Sequence, residues 1–256
     1  MSLFRKKAED KQQSFTSQRR LILNKNSSFV IQEAYKSLRT NIRFSLHNSG
    51  CKRICLTSGM ASEGKSTTIL NLAISFAETG SRVLLIDADM RRPSQAKLLV
   101  QRSTPGLSNV LAGLTSLEEA VRTDVRPNLD VLFSGEIPPN PLELLGNAQM
   151  KQMLDTLSER YEYILIDTPP VGIVSDACEV ACLTHGVLFL VRQGETDKDV
   201  VQRGVKQLEF ANGKILGFVL NDAGGKGSRR YGGYMYSKYY RYKYYKTYAY
   251  RQRSGK

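Results

Sequence analysis

Four short runs in this chain, VLLI at Val83–Ile86, YILI at Tyr163–Ile166, VLFLV at Val187–Val191 and ILGFVL at Ile215–Leu220, show no alternation of polar and apolar residues. A strand that is apolar on both faces is covered on both faces, the mark of a mostly parallel sheet sandwiched between helices. Arg53–Thr57 and Leu129–Phe133 read as two further strands. Between the strands the period changes. Val30, Ile31, Ala34, Leu38, Ile42 and Leu46 recur at helical spacing and predict an amphipathic helix from about Phe29 to Leu46. Ser66–Thr79, closed by Gly80, reads as a second helix. Pro141–Leu145, Ala148–Arg160 and Asp197–Ala211 read as three more. The expectation is a doubly wound α/β domain whose functional residues lie at the C-terminal ends of its strands.

With 256 residues the chain holds one generous α/β domain and is too short for two ordinary ones. Three regions are expected: a polar lead-in over 1–27, the domain over 28–225, and a tail over 226–256. The net charge of +13 belongs to the tail, which carries ten Lys and Arg and no acid, leaving 27 basic against 24 acidic residues in 1–225. Ten tyrosines stand there among the basic residues: Tyr231, Tyr234, Tyr236, Tyr239, Tyr240, Tyr242, Tyr244, Tyr245, Tyr248 and Tyr250. No Leu, Ile, Val or Phe follows Leu220, so burial cannot offset the entropy of ordering the tail, and it is expected to be disordered. A polycation of this kind seeks acidic surfaces, phosphates or nucleic acid.

No apolar window approaches the eighteen or more residues of a membrane span, and MSLFRKKAEDKQQ lacks the apolar core of a signal peptide. A cytosolic protein is expected, reaching a membrane only through a partner. Cys51 and Cys55, and Cys178 and Cys182, are spaced C-x-x-x-C, wider than most zinc hairpins, and read as buried reduced thiols. His47 and His185 lie near no nucleophile in a recognisable elbow and read as ordinary residues.

The segment Gly59–Ser66, GMASEGKS, has the spacing G-x-x-x-x-G-K-S between a predicted strand and a predicted helix. Glycines at its two ends let the loop curl so that successive amides face one concavity, and the helix N-terminus adds dipole charge. Phosphate oxygens are what such a concavity holds. Met60, Ala61, Ser62, Glu63, Gly64 and Thr67 line or follow the loop; Lys65 can reach the β- and γ-phosphates, and the Ser66 hydroxyl can bind Mg²⁺. Asp87 and Asp89 stand just past one buried strand, and Asp167 at the end of another, where carboxylates would add hard oxygens for magnesium. Capping of the next turn is the plainer use of Asp87 and Asp89.

Together EGKST (Glu63–Thr67), LLIDADMRRP (Leu84–Pro93), ILIDTPP (Ile164–Pro170) and the tyrosine cluster resemble the bacterial tyrosine kinases of capsule and exopolysaccharide synthesis, the BY-kinase family in its CpsD/CapB-like form. The resemblance covers the chain from about Phe29 onward. It implies a P-loop NTPase fold of the ParA/MinD-related type, ATP and Mg²⁺ as cofactors, and autophosphorylation of the tail tyrosines in trans. It makes Lys65, Asp87 and Asp89 catalytic, with Asp87 the base and Asp89 at the metal with Ser66 and Asp167. It also places Asn221 at the adenine. The family's E-x-x-R-x-x-R oligomerisation motif falls on Glu33, Lys36 and Arg39, with Lys where the middle Arg is expected; Lys cannot make the planar bidentate contact. Implied partners are further copies in a ring, the cytosolic tail of a membrane-bound polysaccharide co-polymerase, and a cognate tyrosine phosphatase. The implied location is the inner face of the plasma membrane, held through the activator. Two other classes compete. A ParA/MinD-like positioning ATPase would share the fold, but its extra lysine is absent from GMAS and the tail is left unexplained. Nucleic-acid binding through Tyr, Lys and Arg is disfavoured because the basic excess is confined to the tail.

Overall fold

A computed structural model of the chain describes residues 19–46 and 50–223. The expected disordered tail and its ten tyrosines, like His47, lie outside the described residues.

Helix α1 (Phe29–Ser45) begins on a Ser28 cap whose side chain accepts from the Ile31 amide. Strand β1 (Lys52–Ser58) and helix α2 (Lys65–Ala77) flank the glycine loop, and β2 (Val83–Asp87) follows. Three short helices, α3 (Gln95–Leu99), α4 (Leu107–Leu111) and α5 (Leu117–Ala120), lead to strands β3 (Val121–Arg126) and β4 (Leu129–Leu132). Next come α6 (Pro141–Leu145), α7 (Ala148–Ser158), β5 (Tyr163–Asp167) and α8 (Asp176–Ala181). Strand β6 (Gly186–Arg192), α9 (Lys198–Phe210) and β7 (Ile215–Asn221) complete the domain. The seven strands lie in the order β3-β4-β2-β5-β1-β6-β7, every neighbouring pair parallel except β3 with β4.

The apolar runs behave as their composition dictates. β2 and β5 are buried at every position, and β6 over its first five. One face of the sheet packs on α2, which is buried over almost its whole length and is itself covered by α1. The other face packs on α7, α8 and α9. Helix α1 shows why an amphipathic pattern was legible: Tyr35, Leu38 and Ile42 turn to the core while Val30 and Phe44 stay exposed. Between α1 and α2, Arg39 donates to the Ser75 carbonyl and, at 3.1 Å, to its hydroxyl.

Three expectations are corrected. Residues 19–23, placed in the lead-in, belong to the domain: Ile22 and Leu23 are buried, and the Leu23 amide donates to Asn71 Oδ1 at 2.7 Å. The apolar triplet Leu21–Leu23 supplies the reason. Strand β3 was not foreseen, because VRTDVR alternates charge with Val on an antiparallel, half-exposed edge. Of the four cysteines, expected to be buried, only Cys55 is fully so, with burial pushing its thiol pKa up to about 12; Cys182 is exposed. His185 does serve as an ordinary structural residue, its Nδ1 accepting from the Arg53 amide at 3.0 Å.

The two sheet edges differ. β3 carries Arg122, Asp124 and Arg126, whereas β7 has no charged residue and leaves Phe218 and Leu220 exposed.

Candidate active site

The phosphate-type loop runs from Gly59 to Gly64, between the end of β1 and the first turn of α2. Gly64 sits at φ +99°, in the left-handed region, and caps α2 with no side chain of its own. A Cβ there would lie 2.3 Å from Asn221 Nδ2. At the other end the backbone of Gly59 meets Gly172, whose added Cβ would lie 2.3 Å from the Gly59 carbonyl. The loop is thus held by close approach at both ends, of the Gly172 backbone to Gly59 and of the Asn221 side chain to Gly64, which glycine permits.

Glu63 holds the loop in shape. Its carboxylate is buried, accepts from the Met60 amide at 3.0 Å, and takes a short hydrogen bond from the Thr196 hydroxyl. Thr196 in turn accepts from the Arg192 amide at 2.8 Å. The Asn221 amide nitrogen donates to the Glu63 carbonyl at 2.8 Å. Arg192, paired with Glu195 and Asp222, also reaches the Ser62 carbonyl at 3.5 Å. The ends of β6 and β7 therefore brace a loop that lies between β1 and α2.

Lys65 is 7% exposed and makes no hydrogen bond or ion pair to another described residue. A buried ammonium without a bonded anion is costly unless a ligand supplies one. Its charge reaches Asp167. Asp87 and Asp167 are register partners on neighbouring strands β2 and β5, both fully buried. One oxygen of Asp87 accepts from the Ser94 and Gln95 amides, at 3.2 and 3.1 Å, and the other has no partner. One oxygen of Asp167 accepts from Gln95 Nε2 at 2.8 Å, and its other oxygen is also without a partner. Gln95 Nε2 reaches the Ser66 carbonyl as well, at 3.0 Å, tying α3 to the start of α2. Burial, and then the charge of Asp167, push the Asp87 pKa well above the usual carboxylate range. Burial raises Asp167 to about 6, held back by the Lys65 charge and the Ser66 and Gln95 side chains. Asp89 is nearly buried and accepts from the Arg92 amide at 2.9 Å, the capping use open to it from sequence.

These residues fit a phosphate chain and a divalent cation. Lys65 has no bonded anion among the described residues, and Asp87 and Asp167 each keep one buried oxygen without a hydrogen-bond partner. Among the described residues no three or more His, Cys, Asp or Glu side chains form a metal cage. The set suits magnesium, which takes one or two carboxylates and draws its other ligands from phosphate and water.

The structure brings Gly59–Thr67, Asp87, Asp89, Asp167 and Asn221 to one end of the sheet. It keeps Glu33, Lys36 and Arg39 apart from them. Glu33 and Lys36 pair with each other at 2.8 Å on the outside of α1, and Arg39 binds Ser75, roughly 15 Å along α2 from Lys65. Gln95, Thr196 and the Arg91–Asp176 pair were not foreseen. Arg91 donates two hydrogen bonds, of 2.8 and 2.9 Å, to the buried Asp176 carboxylate and pins the loop after β2 to α8.

Fold and site define a nucleoside-triphosphate-binding P-loop protein, and residues 51–188 match the family described as "AAA domain". The Pyrococcus furiosus cell division ATPase MinD shares the fold, at 27% identity, with a TM-score of 0.58 over 68% of this chain and 73% of that one. Closer likeness lies elsewhere. Over 204 residues the chain is 37% identical to the tyrosine-protein kinase YwqD of Bacillus subtilis, covering 80% of this chain and 86% of that protein. The kinase domain of the Escherichia coli tyrosine kinase ETK superposes with a TM-score of 0.72 at 32% identity, over 75% of each chain. A longer relative, the putative tyrosine-protein kinase EpsB of Ralstonia nicotianae, is 38% identical over 81% of this chain, which spans only 28% of that protein. The chain belongs to the bacterial tyrosine-protein kinase family.

Proposed function

We propose that this protein transfers the γ-phosphoryl group of ATP to tyrosine hydroxyls, that the acceptors include the ten tyrosines of its own tail, and that it regulates capsular or exopolysaccharide synthesis. The observation that carries the reading is the in-register pair Asp87 and Asp167, each with one unpartnered oxygen, together with a buried Lys65 that has no bonded anion among the described residues.

Phosphoryl transfer is mostly positioning and neutralisation of charge. The loop amides and Lys65 hold the phosphates. Ser66, Asp167 and Asp89 would hold Mg²⁺, which when bound would offset the charge on the transferred group. Tyrosine, with a hydroxyl pKa of about 10, is a weak nucleophile. The free oxygen of Asp87 orients that hydroxyl and takes its proton late. Its two amide donors keep the carboxylate from turning away. Asn221, whose amide nitrogen is committed to the loop, keeps its carboxamide oxygen for the adenine amino group. The tail of one protomer reaches a neighbour's site within a ring assembled through the α1 face that bears Glu33, Lys36 and Arg39. A membrane-bound co-polymerase activates the ring from its cytosolic tail, and a cognate phosphatase resets it. No helix among the described residues is long and apolar enough to cross a membrane. Each phosphate adds about −1.5 to −2, so full modification reverses the charge of a tail bearing ten basic residues.

The test is incubation with Mg·ATP, with and without activator-tail peptides, followed by phosphosite mapping, beside Lys65→Met and a deletion after Gly227. Phosphotyrosine within 231–250, absent in Lys65→Met, is expected. ATP hydrolysis with no phosphotyrosine in any condition would make the protein a positioning ATPase of the MinD type.

A further inference from the structure

A basic cavity of about 590 Å³ opens at the far end of α3, lined by Lys97, Val100, Arg102, Arg19 and Arg122 among others. Two of its guanidinium groups are fixed by main-chain carbonyls. Arg19 donates to the Lys97 carbonyl at 2.9 and 2.6 Å, and Arg122 to those of Glu119 and Thr104 at 2.7 and 3.0 Å. Among the described residues Arg102 makes no hydrogen bond or ion pair, and no carboxylate pairs with Arg19, Arg102 or Arg122. Three guanidinium groups are therefore gathered around one opening, beside Lys97, with no carboxylate among the described residues paired to them. Between them stands Val100, 69% exposed and at φ 58°, a conformation that a β-branched residue rarely adopts. Strain that presents an apolar side chain to solvent in the middle of a basic cavity needs a reason. The volume is that of a small-ligand pocket, and its walls combine the exposed Val100 side chain with the unbonded guanidinium of Arg102, a group suited to phosphate oxygens.

We infer that this cavity binds phosphotyrosine, and that its occupant is an already modified tyrosine of the tail. This rests on the kinase reading above. The unmodified tail, with ten basic residues and no acid, is repelled by the cavity; a phosphate reverses that locally. Position gives the cavity a purpose. Gln95, which binds both Asp87 and Asp167, begins α3, and the cavity lies at the other end of it. At 1.5 Å per residue the helix spans roughly 7–8 Å. Tail tyrosines follow one another one to three residues apart, and two to three residues of extended peptide cover about 7–11 Å. A phosphotyrosine held in the cavity sets the next tyrosine of the same segment near the catalytic carboxylates. Each phosphate thus promotes the next, and modification of the tail is sequential.

The test uses the full chain and a synthetic peptide of residues 236–245, with and without phosphate on Tyr240, followed by fluorescence anisotropy. The phosphopeptide is expected to bind about tenfold more tightly than the plain peptide. That preference is expected to be lost in Arg102→Glu, partly kept in Arg102→Lys, and competed by inorganic phosphate more strongly than by a polyglutamate of equal charge. Equal binding of both peptides, an unchanged preference in Arg102→Glu, or equal competition by polyglutamate would overturn the inference. In a second arm, phosphates per tail are counted over time. Arg102→Glu is expected to place its first phosphate at the wild-type rate but to accumulate singly modified tails severalfold. Unchanged tail distributions in this variant count against the inference. Absence of any phosphotyrosine in the wild type counts against the kinase reading, while peptide binding still decides the cavity.

Discussion

Asp87 and Asp167 stand side by side on parallel strands, in register, and each keeps one buried oxygen without a partner. Two buried carboxylates so placed resist ionising together; the Lys65 charge offsets part of that cost at Asp167, and no ion pair among the described residues offsets the rest.

Stability of the nucleotide-free protein is therefore expected to fall with rising pH where these groups ionise. Both carboxyls have folded pKa values above the unfolded value of about 3.9. Their stabilising protonated state is fully present below that value and is lost as pH rises through the folded value, about 6 for Asp167. Asp167→Asn removes its share, and the variant is expected to be more stable near pH 7 by roughly 1–3 kcal/mol while losing transfer activity. Urea unfolding at pH 4, 6 and 7.5 checks this; a destabilised Asp167→Asn at pH 7 would contradict it.

Magnesium and the proton compete for the same oxygens. Binding of Mg·ADP at pH 6 is expected to release protons, with release shrinking toward pH 8 as Asp167 is already ionised. Calorimetry in two buffers of different ionisation enthalpy reads the number directly, and equal heats in both would refute the linkage.

Gly172→Ala tests the backbone seat of the loop. The new Cβ would sit 2.3 Å from the Gly59 carbonyl, so the phosphate loop must shift although residue 172 touches no phosphate. Nucleotide affinity is expected to fall at least tenfold, by fluorescent ADP titration, with the circular dichroism spectrum retained.

Thr196→Val leaves the buried Glu63 carboxylate short of one hydrogen bond. Hydrogen bonds to charged groups contribute about 1.5–3 kcal/mol, and part of that is expected to appear as a severalfold to tenfold weaker affinity for ADP. Thr196→Ser, which restores the hydroxyl, is expected to recover most of the loss.

Arg91→Ala strands the Asp176 carboxylate, which is fully buried while the Arg91 side chain is 41% exposed. The solvent access of Arg91 lowers the cost below the 3–5 kcal/mol of a wholly buried pair, to roughly 2 kcal/mol. Chemical denaturation measures it, and Arg91→Lys should recover only part because one bidentate contact becomes single.

What was legible in the sequence was what is local in it. The Gly59–Ser66 spacing, the uniformly apolar strands and the acids at their ends each lie within one short window. The brace around the loop does not: Glu63 meets Thr196 and Asn221 across 133 and 158 positions. Asp87 and Asp167 could be placed at strand ends, but their adjacency follows from the order β2-β5-β1, which depends on packing rather than pattern. Gln95 opens a five-residue helix too short to show a period, and β3 alternates charges as an edge strand must. The polar lead-in was overdrawn because Leu21–Leu23 is too brief a run to outweigh its neighbours.

The uncharged edge of β7 bears on how the chain can be cut. Its outermost backbone groups and the exposed Phe218 and Leu220 invite another strand, and the strand ends at Asn221, just before a stretch carrying ten positive charges. Like charge rooted beside an adhesive edge is expected to keep the edges of neighbouring molecules apart, a colloidal role for the tail beside that of proposed acceptor. A chain shortened at Gly227 loses both at once and is expected to self-associate as it is concentrated. Exchanging the tail tyrosines for phenylalanine keeps the charge, and so separates loss of acceptors from loss of solubility.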